Sequence, residues 1–128
     1  MGKVARPKSQ ITDGELEILR VVWSLKQCGL REVHDELKKV RSTIAESTVA
    51  NRLTRMEEKK LIRSIDNRRP KQYEAMVEQS LTADVLLDDV RKRVFGGSAG
   101  RMALRLLESI KLTPAERKAV RDHLDKMK

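Results

Sequence analysis

The chain has 128 residues, of which 39% are hydrophobic and 2% aromatic, and its formal net charge is +9. This length accommodates one or two small domains rather than a large enzyme cleft, and the scarcity of aromatic residues favours helices packed through Leu, Val, Ile and Met. The surplus of Lys and Arg favours a polyanionic partner, above all nucleic acid, because contacts with phosphate release bound counterions.

The first predicted element is a helix that follows a basic N-terminal arm. Residues 1–10 are basic and lack an apolar pattern, which predicts a flexible arm. Thr12 and Glu15 are then spaced as in a capping box, and apolar residues recur at helical spacing to about Lys26. We expect an amphipathic helix there, with Trp23 in the core near its end.

A shorter second helix is predicted from about Leu30 to Val40. Val33, Leu37 and Val40 would lie on its inner face because they are spaced four and three residues apart. Residues 41–46 are then predicted to form a turn that leads into a third helix.

The third predicted helix, from about Glu46 to Lys60, has two contrasting faces. Its apolar stripe consists of Val49, Leu53 and Met56. The opposite side carries hydroxyl, amide and guanidinium groups, which are the groups that reach base edges and phosphates in a DNA major groove. We predict a recognition helix with Ser47, Thr48, Asn51, Arg52, Thr54 and Arg55 at the DNA, Arg52 on its backbone, and Thr43 contacting the backbone beside the helix start.

After the third helix the apolar pattern changes from helical to alternating. Residues 62–67 alternate, a basic segment interrupts, and an extended pattern resumes from Gln72 to Met76, which predicts a β-hairpin. Three helices followed by a basic hairpin form a winged helix-turn-helix domain, here residues 11–78. We expect the wing tip to grip phosphate through Arg68, Arg69 and Lys71.

Three more helices are predicted in the C-terminal part, at about 82–95, 98–109 and 113–127. The roughly fifty residues of segment 79–128 are too few to enclose a core alone. A second copy of the chain is the economical partner, and packing on the same chain's winged domain is the alternative. The predicted dimerisation residues are Leu86, Val90, Leu104, Leu107, Val120 and Leu124.

The predicted fold class is therefore mainly α with a small β-hairpin wing: an N-terminal winged helix-turn-helix plus a C-terminal helical dimerisation region. The sequence contains no phosphate-binding glycine loop, nucleophile motif or plausible carboxylate pair, so we predict no enzyme, no catalytic residue and no cofactor. The lone Cys28 excludes an internal disulfide, and His34 and His123 lack metal-ligand spacing, so no metal site is expected. Without a signal peptide or a long apolar run, we expect a cytoplasmic protein that does not insert into membranes.

Five segments, in order, resemble the penicillinase-repressor (BlaI/MecI/CopY) family of bacterial regulators, over about Ile11 to Lys126. They are ITDGELEILRVVW in the first helix, REVHDEL in the second, STVANRLTRMEEK in the third, VFGGS at the junction and LTPAERKAVRDHL in the last helix.

The resemblance implies a homodimer that represses transcription from palindromic operators on double-stranded DNA, typically containing TACA and TGTA elements. It also implies a membrane-bound sensor protease that detects β-lactams and leads to cleavage of the repressor in its dimerisation region. A β-lactam-response gene or a related stress gene is the expected target.

Three departures limit what the resemblance carries over. The family's usual Lys-Gly after the recognition helix is Lys59-Lys60 here, so the helix has to end without that glycine. The Asn-Phe cleavage bond corresponds to Arg105-Leu106, which makes the same cleavage doubtful, and the C-terminal CxC motifs of copper-responsive members are missing. Derepression by proteolysis, by a ligand or by dissociation therefore stays open at this point.

Two other kinds of binder remain alternatives to a DNA-binding repressor. One is a winged-helix regulator that senses a ligand between its helices, and the other is a winged helix that contacts proteins. Charge reversal at Arg68 and Arg69 separates these functions, because it would abolish DNA binding and leave protein pairing intact.

Overall fold

A computed structural model describes residues 11–65 and 69–127. The predicted N-terminal arm and the wing-tip residue Arg68 lie outside these ranges. The predicted fold class is confirmed, since helices dominate and a small antiparallel sheet accompanies them. In the described ranges the helices are α1 (Asp13–Leu25), α2 (Leu30–Lys38), α3 (Glu46–Glu58), α4 (Gln79–Val94), α5 (Ala99–Ser109) and α6 (Pro114–Lys126), and the strands are β1 (Cys28–Gly29), β2 (Ile62–Ser64) and β3 (Gln72–Ala75).

Helix α1 begins at the predicted capping box. The N–H of Glu15 donates to the Thr12 hydroxyl at 3.2 Å, and the N–H of Thr12 donates to a Glu15 carboxylate oxygen at 3.0 Å. The same arrangement of Thr113 and Glu116 starts α6, with Pro114 in its first turn. Both caps satisfy N–H groups that a helix start otherwise leaves unpaired.

Helix α2 is shorter than predicted, and the expectation for Val40 is wrong. The helix ends at Lys38, and the N–H of Val40 donates to the carbonyl oxygen of Leu37 in a tighter turn at 3.1 Å. Val40 consequently leaves the inner face and is 79% exposed, while Val33 and Leu37 are buried as expected.

Helix α3 ends two residues earlier than predicted, in a left-handed cap. Lys60 has a φ of 64°, where glycine is the usual residue. The N–H of Leu61 donates to the carbonyl oxygen of Met56 at 2.9 Å, and the N–H of Lys60 donates to that of Glu57 at 3.1 Å. These two bonds form a Schellman motif, so the chain adopts with lysine the backbone that glycine adopts more easily.

The sheet contains a strand that the sequence pattern did not predict. Its strand order is β1–β3–β2, with β3 antiparallel to both neighbours. In β1, Gly29 pairs with Gln72, and a Cβ on Gly29 would lie 2.8 Å from the carbonyl oxygen of Lys71. Two residues are too few to show an alternating pattern, which is why β1 escaped prediction.

One core joins the first three helices to the sheet. Trp23 packs against this core only partly buried, and its indole N–H donates to the carbonyl oxygen of Val77 at 3.0 Å. The core residues are Ile18, Leu19, Val22, Cys28, Val33, Leu37, Val49, Leu53, Met56, Leu61, Ile62, Tyr73 and Val77.

The chain divides into two compact units between Val85 and Leu86, inside α4. The first unit contains the three helices and the sheet. In the second unit, no side chain of α5 or of α6 as described is buried within the single chain.

Candidate nucleic-acid interface

Helix α3 has the two faces that the sequence predicts. Its apolar stripe of Val49, Leu53 and Met56 is completely buried or nearly so, which fixes the helix on the core. The opposite side faces solvent. Of the predicted DNA-contacting residues, Ser47, Asn51, Thr54 and Arg55 are exposed, and Thr48 and Arg52 are half-buried.

The exposed residues of α3 differ in the hydrogen bonds that they can still make. Thr54 donates its hydroxyl to the carbonyl oxygen of Ala50 at 3.1 Å, so its oxygen can only accept from a partner. Among residues 11–65 and 69–127, no hydrogen bond or ion pair holds the side chain of Ser47, Asn51 or Arg55. An amide and a guanidinium can each make paired hydrogen bonds with a base edge in the major groove.

Arg52 lies against helix α1 instead of pointing fully into solvent. A Cβ on Gly14 would be only 2.9 Å from the guanidinium carbon of Arg52, so a larger residue there would displace the guanidinium. One guanidinium nitrogen, Nη1, is buried and has no hydrogen-bond partner among the described residues. Arg52 therefore has less access to a phosphate than its sequence position suggests.

The turn ahead of α3 is held by a side chain of α2. His34 donates from Nε2 to the carbonyl oxygen of Ile44 at 2.9 Å. Thr43 lies exposed in the same turn, shortly before α3 begins. In the part of the chain that the structure describes, no side chain caps the first turn of α3, whose N-cap is Ala45.

A buried carboxylate joins the start of α1 to the end of α3. Lys59 donates from Nζ to Glu15 Oε1 at 2.8 Å. Burial by itself would raise the pKa of Glu15, but the Lys59 ammonium and the hydrogen bonds with Thr12 outweigh it and hold the pKa below its ordinary value. This pair ties the end of α3 to the start of α1.

The basic residues of the wing differ in exposure and in ion pairing, which the sequence alone does not indicate. Arg69 is exposed at the edge of the described wing. Lys71 pairs with Glu57 of α3, with 3.3 Å between Nζ and Oε1, and its Nζ lies 5.6 Å from the centroid of the Tyr73 ring. Arg63 of β2 pairs across the sheet with Glu74 of β3.

Glu57 is the residue of this surface that sequence reasoning missed. Its carboxylate contacts Lys71, and its Oε2 also accepts a hydrogen bond from the Ser64 hydroxyl at 3.0 Å. No local sequence pattern shows that Glu57, in the last turn of α3, bonds with Ser64 and Lys71, since both partners lie on the wing. Only the fold brings the three side chains together.

Two further findings concern what the described residues lack. In residues 11–65 and 69–127, His, Cys, Asp and Glu form no group that could hold a metal ion. Within the same ranges, no helix has both the length and the apolar character needed to cross a membrane.

Comparison with known proteins completes the description of this surface. Residues 11–126 match the Penicillinase repressor family. The chain belongs to that family. Members of the penicillinase repressor family are transcriptional repressors and not a class of enzymes, so this protein is a DNA-binding transcriptional repressor.

Two similar proteins were found, one by sequence and one by structure. The chain is 29% identical to the penicillinase repressor of Bacillus licheniformis over 107 residues, which are 84% of this chain and 83% of that protein. It also resembles a solved structure of Bordetella bronchiseptica BpsR, described for the regulation of DNA binding by 6-hydroxynicotinic acid. That likeness has 23% identity and a TM-score of 0.44, and it covers 95% of this chain and 78% of the other.

Proposed function

We propose that this repressor acts as a homodimer on palindromic operator DNA and that α3 enters the major groove of each half-site. The observation that carries the proposal is the contrast between the two faces of α3. Its stripe of Val49, Leu53 and Met56 is buried, while Ser47, Asn51 and Arg55 project into solvent. A rigidly seated helix with a polar outer face has the geometry that reads base edges.

Base reading is assigned to five side chains of α3. Asn51 would pair with adenine and Arg55 with guanine, because an amide and a guanidinium match those base edges in two hydrogen bonds each. Ser47 and Thr48, nearer the helix start, supply hydroxyl groups to either kind of base. Thr54 adds an acceptor beside them.

Phosphate contacts are assigned to residues around α3. Thr43 lies beside the uncapped start of the helix, where N–H groups favour an anion. Arg69 would grip phosphate from the wing, and Lys71 would do so only after leaving Glu57. Arg52 would contribute through the guanidinium atoms that Gly14 and its neighbours leave accessible.

The homodimer is supported by the apolar side chains of the second unit. Leu104 is 61% exposed and Leu124 is 57% exposed in the single chain, and the other predicted dimerisation residues are exposed as well. Helices with uncovered apolar stripes are stabilised by association. A second copy suits a repressor of palindromic sites, because a twofold dimer presents two recognition helices.

The regulated gene and the inducing signal follow from the family likeness. The Bacillus licheniformis relative is a penicillinase repressor, so a β-lactam-response gene or a related stress gene is the proposed target. A membrane sensor protease is the proposed upstream partner. Since Arg105-Leu106 occupies the family's cleavage position, the protease would act on a different bond, or a ligand or dissociation would end repression.

The groove assignment is tested with the Asn51→Ala variant. Anisotropy of labelled DNA measures binding to the protein's own upstream region and to a scrambled duplex. Loss of a base contact should cost about 1 to 3 kcal/mol on the upstream DNA and leave the scrambled duplex nearly unaffected. Ser24→Ala, a change at another exposed position, on α1, is the control. Unchanged affinity of Asn51→Ala for both duplexes contradicts the assignment.

A further inference from the structure

Glu57 occupies the junction between the recognition helix and both strands of the wing. It lies in the last turn of α3, and its two carboxylate oxygens contact different elements. Oε2 accepts a hydrogen bond from the hydroxyl of Ser64, the last residue of β2, at 3.0 Å. Oε1 lies 3.3 Å from the ammonium of Lys71, the residue before β3. One side chain thus holds the two sides of the hairpin to α3.

The register of the sheet makes this junction specific. Ser64 lies opposite Tyr73 in the β2–β3 pair, and the Tyr73 ring is buried in the core. The ammonium of Lys71 lies 5.6 Å from the centroid of that ring. The Lys71 ammonium is therefore held by two groups: the Glu57 carboxylate, with which it pairs, and the face of the Tyr73 ring, which attracts a cation.

The Lys71–Glu57 ion pair is exposed enough for a phosphate to displace the Glu57 carboxylate from Lys71. The side chains of Lys71 and Glu57 are 50% and 32% exposed, so water and ions reach the pair. An ion pair of this exposure is weak, and a DNA phosphate could compete with Glu57 for the ammonium. If a phosphate took the Lys71 ammonium, the Glu57 carboxylate would lose its partner and would face the negatively charged DNA unpaired.

We infer that Glu57 is a positioning residue that holds the wing on the recognition helix and withholds Lys71 from DNA phosphate. The inference rests on the proposed DNA-binding function of α3 and the wing. Its consequence is lower affinity for DNA of any sequence, since one basic side chain is paired internally and one acidic side chain lies near the backbone. Discrimination between operator and other DNA improves when the non-specific contribution is small.

The test combines two substitutions in the full chain. Glu57→Gln keeps an oxygen that accepts from Ser64 but removes the charge that pairs with Lys71. Affinity for a scrambled duplex is measured over a series of salt concentrations for wild type, Glu57→Gln, Lys71→Ala and the double variant. The slope of log affinity against log salt counts the phosphates that the protein neutralises.

The inference predicts that Lys71 becomes a phosphate contact only when Glu57 is neutral. In the wild-type background Lys71→Ala should change the slope by less than about 0.3, and in the Glu57→Gln background by about 0.9. Glu57→Gln alone should bind the scrambled duplex about 3- to 10-fold more tightly at moderate salt. The same set built on Glu58→Gln controls for loss of one negative charge from the same turn, because Glu58 is exposed and is not the carboxylate that contacts Ser64 or Lys71.

A second measurement follows the wing without DNA. The N–H of Ile65 donates to the carbonyl oxygen of Gln72 at 2.8 Å, beyond the end of β2. If Glu57 holds the hairpin, hydrogen exchange at the Ile65 amide should be at least about 3-fold faster in Glu57→Ala, which removes the contacts with both Ser64 and Lys71, than in Glu58→Ala.

The possible outcomes separate this inference from the proposed function. An equal effect of Lys71→Ala in both backgrounds would overturn the withholding of Lys71, and unchanged exchange at Ile65 would overturn the holding of the wing. If wild-type protein binds no duplex DNA, the proposed function fails together with the role of Lys71. The exchange measurement decides the role of Glu57 in the wing even in that case.

Discussion

Glu15 combines a local and a long-range role in one carboxylate. It caps α1 through Thr12 and pairs with Lys59 at the end of α3. Because its pKa in the folded chain lies below the ordinary value of 4.5, ionised Glu15 stabilises the fold above about pH 4.5. This stabilisation is lost as the pH falls through the lower, folded-state pKa.

We predict that Glu15→Gln lowers the free energy of unfolding by about 1 to 2 kcal/mol at neutral pH, since Lys59 loses its charged partner while remaining partly exposed. The difference from wild type should shrink as the pH falls below about 4.5, where wild-type Glu15 also becomes neutral. Urea unfolding followed by far-ultraviolet circular dichroism across a pH series measures it. A difference that is constant with pH, or that Glu58→Gln reproduces, would show that the charge of Glu15 is unimportant.

Cys28 illustrates how burial controls the chemistry of a side chain. The thiol lies in the core at β1, and desolvation, with a smaller effect of the Glu32 charge, raises its pKa to about 11. A thiol with this pKa is almost entirely protonated at physiological pH, so it is a poor nucleophile. Its position indicates a packing role.

We predict that the folded protein reacts with a thiol reagent such as DTNB at pH 8 at least about 100-fold more slowly than the urea-unfolded chain, from both the raised pKa and the burial. Absorbance of the released chromophore follows the reaction, and the unfolded chain provides the control rate. Comparable rates in the two states would mean that Cys28 is accessible and open to oxidation.

At the scale of elements, the end of α3 shows how a helix is terminated without its preferred residue. Lys60 has the left-handed backbone of the Schellman motif, a conformation that costs a residue with a Cβ roughly 1 kcal/mol. The buried Leu61 that follows it packs in the core, and this packing offsets the cost.

Replacing Lys60 by glycine should therefore stabilise the protein by about 0.5 to 1 kcal/mol, because relief of the left-handed conformation exceeds the added flexibility of the unfolded chain. Thermal and urea unfolding give the change. Lys39→Gly is the matched control: Lys39 is an exposed lysine at the C-cap of α2 with ordinary helical backbone, and its replacement should stabilise nothing. Equal effects of the two substitutions would exclude backbone strain as the cause.

Local sequence signals predicted the helices well for a physical reason. The capping box at Thr12 and stripes such as Val49, Leu53 and Met56 depend on residues within a few positions of one another. The β-hairpin was recognised from its alternation. Strand β1 was missed because it consists of two residues whose pairing with β3 arises only in the folded chain.

The sequence predicted which polar residues of the candidate interface are exposed, but it did not predict which other side chains they contact. The exposed side of α3 follows from the helical period, so Ser47, Asn51 and Arg55 were identified correctly as exposed polar residues. The packing of Arg52 on Gly14 and the pairing of Lys71 with Glu57 depend on tertiary approach, which no local pattern encodes. Their roles at DNA, like the dimerisation residues and the boundary after residue 78, stay predictions.

At the scale of the whole molecule, the proposed dimer would determine how strongly the repressor binds its proposed operator. A single small domain makes few contacts, and two linked domains bind one palindrome with a much higher combined affinity. The helices from Leu86 onward would supply the link.

We predict that the wild-type chain is a dimer at micromolar concentration in sedimentation equilibrium. Leu107→Glu should raise the dimer dissociation constant at least about 30-fold, because it removes apolar burial and places a charge in the interface. Arg105→Glu, which also introduces a carboxylate into α5 but on its charged side, is the control. A wild-type chain that sediments as a monomer contradicts the dimer, and retained helicity by circular dichroism shows that a dissociated variant is folded.

The hydrogen bond between Trp23 and Val77 gives the molecule an intrinsic optical probe. Trp23 is the only tryptophan of the chain, and its indole N–H is bonded to a carbonyl just ahead of α4. Indole emission shifts in wavelength when its N–H exchanges a protein acceptor for water. The colour of that emission would therefore record, in real time and without an attached dye, whether the chain segment leading into α4 stays docked while the repressor engages or leaves its DNA.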